Sequence, residues 1–177
     1  MTPKIKVVRA FGHFIKKERY LLSVEANERS LTHRLAIYIE KEFPDFNVDC
    51  EYNRNGMEPK RLDSFKRQVD SDDIQGVTVY PDIIVHRRGP GNNLVVIEAK
   101  TSKNQQACQN NGNCHCDRCK LRAYKKDIGY QHAFFVIFPV GDDLQDYSEN
   151  HIDKYLSEID EDTAEPTPAA DKVREYL

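Results

Sequence analysis

The sequence predicts an α/β fold in which a central mixed sheet is flanked by helices. Two observations carry this expectation. Apolar segments 77–86 and 94–100 surround a turn-rich stretch and read as an antiparallel hairpin. The second segment then leads through a helical stretch into a continuous apolar run, the pattern of a strand, a crossover helix and a parallel strand. Antiparallel and parallel pairs in one sheet make it mixed.

The elements follow in chain order. Residues 4–20 mix apolar and basic side chains and read as a first helix. Asn27 is a suitable N-cap, because its side-chain oxygen can accept a free N–H of the next turn. Leu31, Leu35, Tyr38 and Ile39 then follow the spacing of an amphipathic helix. That helix should end near Phe43, since Pro44 disfavours helical geometry in the residue before it. Glu28 lies in its first turn, where the helix dipole favours a carboxylate. Residues 47–54 alternate, with Val48, Cys50 and Tyr52 on one face and Asp49, Glu51 and Asn53 on the other, as in a strand with one buried face. Residues 55–76 lack an apolar period and read as a long loop whose Lys60, Arg61, Lys66 and Arg67 could meet phosphates.

Between the two hairpin strands, Arg88-Gly89-Pro90-Gly91-Asn92 is rich in turn formers. Residues 104–116 are irregular. A helix is expected from Arg118 to about Ile128, closed by Gly129. Ala133–Phe138 is apolar throughout, as a strand buried on both faces would be. A short helix is possible over 150–160.

At 177 residues the chain suits one well-buried domain. No stretch approaches the roughly 20 apolar residues of a membrane span, and the first residues lack the pattern of a signal peptide. The expected address is cytoplasmic, without a membrane partner. The net charge of −3 is unevenly spread. Residues 142–177 hold 12 Asp+Glu against 3 Lys+Arg, while residues 1–141 hold 17 acids and 23 bases. We therefore expect a domain over 1–141 able to accept a polyanion, followed by an acidic tail over 142–177.

The residues that carry chemistry lie on the hairpin. Glu98 and Lys100 are two apart on a strand, so alternation sets them on one face. If the hairpin turns about Pro90, paired positions sum to about 180 and Asp82 falls opposite Glu98. Two carboxylates so placed repel, and a divalent cation between them removes the conflict. Mg²⁺ or Mn²⁺ suits oxygen ligands with open positions. Lys100 beside it would stabilise developing negative charge or orient a water, as phosphodiester hydrolysis requires. Glu51 is a further candidate ligand.

Pro81-Asp82, fifteen intervening residues and Glu98-Ala99-Lys100 resemble the signature of the PD-(D/E)XK nuclease superfamily. The resemblance spans roughly residues 27–138. The helix carrying Glu28 is similar to the family's first core helix, whose acidic residue helps complete the site. The helix with Lys120 and Tyr124 sits where RecB-like members have a Gln-x-x-x-Tyr pattern, with Lys in place of Gln here. The resemblance implies a restriction-endonuclease-like core and Mg²⁺-dependent cleavage of nucleic acid, DNA before RNA, with Asp82, Glu98, Lys100 and Glu28 in the catalytic set. It also suggests that Lys120 and Tyr124 contact nucleic acid, although Tyr124 reads equally well as a half-buried anchor. Many members act as dimers, so a homodimer or larger complex is an open expectation.

Cys108, Cys114, Cys116 and Cys119 fall within twelve residues. Four thiolates suit a structural Zn²⁺, with His115 a possible substitute ligand and an iron–sulfur cluster the alternative. Two other functions remain open from the sequence: a catalytically silent binding module on the same scaffold, and a zinc-stabilised subunit of a larger complex.

Overall fold

In the computed structural model, residues 1–56, 58–66, 77–89, 91–105 and 114–159 are described. The chain opens with α1 (Pro3–Lys17), a short α2 (Arg19–Ser23) and α3 (Glu28–Glu42). Thr2 caps α1, its hydroxyl accepting the Ile5 N–H at 3.4 Å, with Pro3 at a first-turn position where its missing N–H costs nothing. Asn27 caps α3 as expected, its Oδ1 accepting the Ser30 N–H at 2.8 Å.

Strand β1 (Asn47–Cys50) follows. It is shorter than the alternation suggested, because Glu51 takes a left-handed φ of 50° and turns the chain out of the sheet. The expected long loop includes regular elements. It contains β2 (Arg54–Asn55) paired with β3 (Glu58–Pro59), then β4 (Arg61–Leu62) paired with β5 (Val77–Thr78), and a single turn α4 (Asp63–Lys66). Ser64 ties that turn to Asp127 through its N–H at 2.8 Å and its hydroxyl at 2.6 Å. Arg67 lies outside the described residues.

The hairpin is β6 (Ile83–His86) and β7 (Asn93–Thr101). Its register, Ile83 with Ile97, Ile84 with Val96 and Val85 with Val95, is the one the sequence predicts, with a bulge between Val85 and His86. The helix α5 (Cys114–Ala123) runs into a π-helical turn over Tyr124–Ile128 and is closed by Gly129 at φ 79°, a conformation glycine adopts without strain. Strand β8 (His132–Phe138) returns parallel to β7, and β9 (Leu156–Glu158) pairs antiparallel with β8. The sheet order is β1-β6-β7-β8-β9, a five-stranded mixed sheet.

Each face of the sheet has its own core. Ile83, Val85, Val95, Ile97, Ala99, Phe134, Val136 and Phe138 pack against α1 and α3. Ile84, Val96, Ala133, Phe135 and Ile137 pack against Leu121, Ala123, Tyr124 and Tyr130. The alternation is what allows this, since neighbouring residues of a strand feed opposite cores.

The structure revises the expectation of a separate tail beginning at 142. Leu144, Leu156 and Ile159 are buried, and Ile159 N–H bonds the Ala133 carbonyl at 2.8 Å. Residues 142–159 are thus built into the domain, through a 3₁₀ turn over Glu149–Lys154 and then an edge strand. The remainder of the acidic segment lies outside the described residues. No helix among the described residues is long and apolar enough to cross a membrane.

Candidate active site

The face of the sheet under α5 carries Asp82, Glu98 and Lys100. Asp82 immediately precedes β6, and its Oδ2 accepts the Ala99 N–H at 2.8 Å. Glu98 and Lys100 point to the same side of β7 while Ala99 packs into the opposite core. Glu28 reaches in from the first turn of α3. Its Oε2 accepts the Thr101 N–H at 3.1 Å, and its Oε1 meets Lys100 Nζ at 3.3 Å. The four residues expected from the sequence therefore converge at one end of the β6–β7 pair.

Helix α5 adds two charges. Asp117 stands 3.6 Å from Lys100 Nζ, and Lys120 Nζ stands 2.9 Å from Glu98 Oε1. Asp117, Lys120 and Tyr124 follow i, i+3, i+7 spacing, one helical stripe facing the sheet. The sequence reading missed Asp117; its place on the stripe with Lys120 and Tyr124 was the available signal.

Burial sets the electrostatics. Glu98 is 2% exposed, and loss of water pushes its carboxyl up to about 8; Lys120 opposes this shift, while Asp82 and Asp117 add to it. Asp82 is also raised, by burial first, with the Ala99 N–H and the two lysines working against the rise. For Lys100 burial disfavours the charge, but Asp117, Glu28 and Asp82 outweigh it and hold the ammonium well above the usual lysine range.

Among the described residues, two buried polar atoms of this site lack a well-aligned hydrogen bond. Glu98 Oε1 has the Lys120 ammonium close by but no aligned partner, and the Tyr124 hydroxyl has none either. Tyr124 feels both burial and the nearby Glu98 charge, which raise its hydroxyl pKa. A buried carboxylate oxygen left incompletely satisfied, next to a second carboxylate, fits a site that takes a hard cation with its waters. Mg²⁺ needs only one or two protein carboxylates, because it keeps waters and takes substrate oxygens. Among the described residues no group of three or more His, Cys, Asp or Glu is placed to hold a metal ion by itself.

The outward contact suggested for Lys120 is revised, and of the two readings of Tyr124 the anchor is the one observed. Tyr124 is fully buried and packs edge-on against Tyr130 with ring centroids 6.0 Å apart, so it is an anchor rather than a stacking platform. Lys120 turns inward to Glu98 instead of outward to solvent. Lys60 is buried too, its Nζ donating to the Tyr52 carbonyl at 2.9 Å and lying over the Tyr52 ring. Glu51 is paired with Arg29 at 2.8 Å and lines the same cleft as Glu28 and Asp82.

A cleft of about 1000 Å³ opens beside the site, lined by Asn27, Glu28, Arg29, His33, Cys50 and Asp82 among others. Two of the candidate carboxylates thus face an open volume that also carries basic side chains. Of the cysteine group, Cys108 lies outside the described residues, as do the side chains of Cys114 and Cys116. Cys119 is buried on α5, its Sγ 4.0 Å from an Arg122 guanidinium nitrogen.

The chain matches no model of a known protein family. It likewise has no match among curated proteins or solved structures.

Proposed function

We propose that this chain is a divalent-metal-dependent nuclease with a restriction-endonuclease-like core, of the PD-(D/E)XK kind. One observation carries the reading: Asp82, Glu98, Lys100 and Glu28, far apart in sequence, converge on one end of a hairpin beside an open cleft. The order of elements supports it, with α3, β1, the β6–β7 hairpin, α5 and a parallel β8 forming a continuous unit.

In this reading Asp82 and Glu98 hold a Mg²⁺ or Mn²⁺ ion, which would polarise the phosphate and lower the pKa of a bound water. Asp82 is preset for this by the Ala99 N–H, which fixes its carboxylate against β7. Lys100 supplies a permanent positive charge where a pentacovalent phosphate gathers negative charge. Glu28 positions that lysine and pins the end of β7 through Thr101. The cleft beside Glu28 and Asp82 receives the polyanion, with Arg29 and His33 on its wall. DNA is the first substrate to test, then RNA.

The deciding experiment offers single- and double-stranded DNA and RNA to the protein with Mg²⁺ and with Mn²⁺, beside Asp82→Ala. Cleavage that needs the cation and is lost in the variant is the expected result. Cleavage indifferent to both, or no turnover with any substrate and either metal, would sink the proposal. The Cys108, Cys114, Cys116 and Cys119 group is proposed to hold a structural Zn²⁺, tested by elemental analysis of purified protein.

A further inference from the structure

The two lysines of the site are sorted between different carboxylates. Lys100 is taken by Glu28 and Asp117. Among the described residues Lys120 alone pairs with Glu98, at 2.9 Å. Four acidic side chains, Glu28, Asp82, Glu98 and Asp117, thus share two ammonium groups. With all four ionised, the cluster would be short of positive charge by about what one divalent ion brings. The Lys120 contact is a single ion pair to one Glu98 oxygen, whereas Lys100 is shared by two carboxylates.

We propose that Lys120 is a built-in counter-ion of Glu98 that the divalent cation displaces when it binds. The inference rests on the metal-dependent reading above. An ammonium and a divalent ion at the same carboxylate repel strongly in a poorly solvated site. The lysine is the partner able to leave, because its stem is long and flexible and it is held through a single carboxylate. Lys100 lacks that freedom, held between carboxylates from two helices. The cost of moving Lys120 is then subtracted from metal affinity, and metal entry presents a freed ammonium at the rim of the site.

The test uses the native protein. Brief acetylation with acetic anhydride at fixed pH, read by mass spectrometry, reports how accessible each lysine amine is. Labelling of Lys120 is expected to rise several-fold on Mg²⁺ addition, saturating with the binding curve, while exposed Lys16 stays constant. Calorimetric titration with Mn²⁺ supplies the second arm. Lys120→Gln is expected to bind on the order of tenfold more tightly than wild type, and Lys120→Arg to stay close to it. Labelling that stays flat or falls while Mn²⁺ binds, or Lys120→Gln binding no tighter, overturns this inference and leaves the nuclease reading standing. Native protein that binds neither ion overturns both.

Discussion

Asp82 Oδ2 accepts the Ala99 N–H at 2.8 Å, joining the residue before β6 to the backbone between Glu98 and Lys100. One bond therefore fixes the carboxylate relative to both partners. Asp82→Asn keeps an oxygen that can accept this N–H but removes the charge. The variant is expected to fold with little change in Tm and to lose cleavage by on the order of a hundredfold or more. Asp82→Ala removes the acceptor as well, leaving a largely buried N–H unpaired, and should cost an additional ~1–3 kcal/mol of stability. Thermal melts run beside a cleavage assay separate the two effects. An active Asp82→Asn protein would contradict the metal-ligand role.

Glu98 makes metal-free stability depend on pH in an unusual direction. Its carboxyl is pushed up to about 8 in the folded protein, against about 4.3 in an unfolded chain. Between these values the folded state keeps a proton that the unfolded state has lost. Stability is therefore expected to fall as pH rises through that window, in contrast to a salt-bridged carboxylate with a depressed pKa. Melts in a chelator from pH 5 to 8 check this. Glu98→Gln should flatten the slope, and so should saturating Mg²⁺, which favours the ionised carboxylate.

Lys60 separates a basic residue that faces phosphate from one that only looks as if it should. It is 1% exposed, with its ammonium over Tyr52 and bonded to the Tyr52 carbonyl. Burial lowers its pKa to about 8, with Asp49 opposing. Lys60→Met is expected to leave the salt dependence of nucleic-acid binding unchanged, since an inward ammonium releases no phosphate counter-ion. Arg29→Ala, on the cleft wall, should reduce that slope. Binding isotherms over a range of salt concentrations distinguish them, and a reduced slope for Lys60→Met would mean the side chain swings out.

Much of the site was legible because strand periodicity and hairpin register are local rules. Counting about Pro90 gave the observed pairing of Ile83 with Ile97, and Asp82 and Glu98 follow from it. The cap at Asn27 and the stop at Gly129 were equally readable, since each depends on chemistry at a single position. Asp117 escaped notice because its partner, Lys100, is remote in sequence and packs against it only in the folded chain. Lys60 and Lys120 were misplaced for the same reason. A basic or amphipathic side chain does not announce whether it turns inward, and here carbonyl and carboxylate partners from other segments decide it. The polar run after 55 hid two-residue strands too short to show a period.

The acidic C-terminal segment was misjudged most, and its test is direct. Composition makes residues 142–159 look dispensable, but Leu156 is 6% exposed and its strand covers an edge of β8. Phe134, Phe135 and Val136 pair with that strand, so its removal uncovers apolar sheet as well as free backbone groups. A chain ending at 159 is expected to fold and melt cooperatively near the full-length Tm. A chain ending at 141 is expected to aggregate or to unfold at much lower temperature. Leu156→Ala in the full chain should cost about 2–5 kcal/mol, as for other large-to-small changes in a packed core. Denaturant titration of the point variant and thermal melts of the two shortened chains give the answer. Cooperative folding of the 1–141 chain at an unchanged Tm would restore the boundary that charge alone suggests.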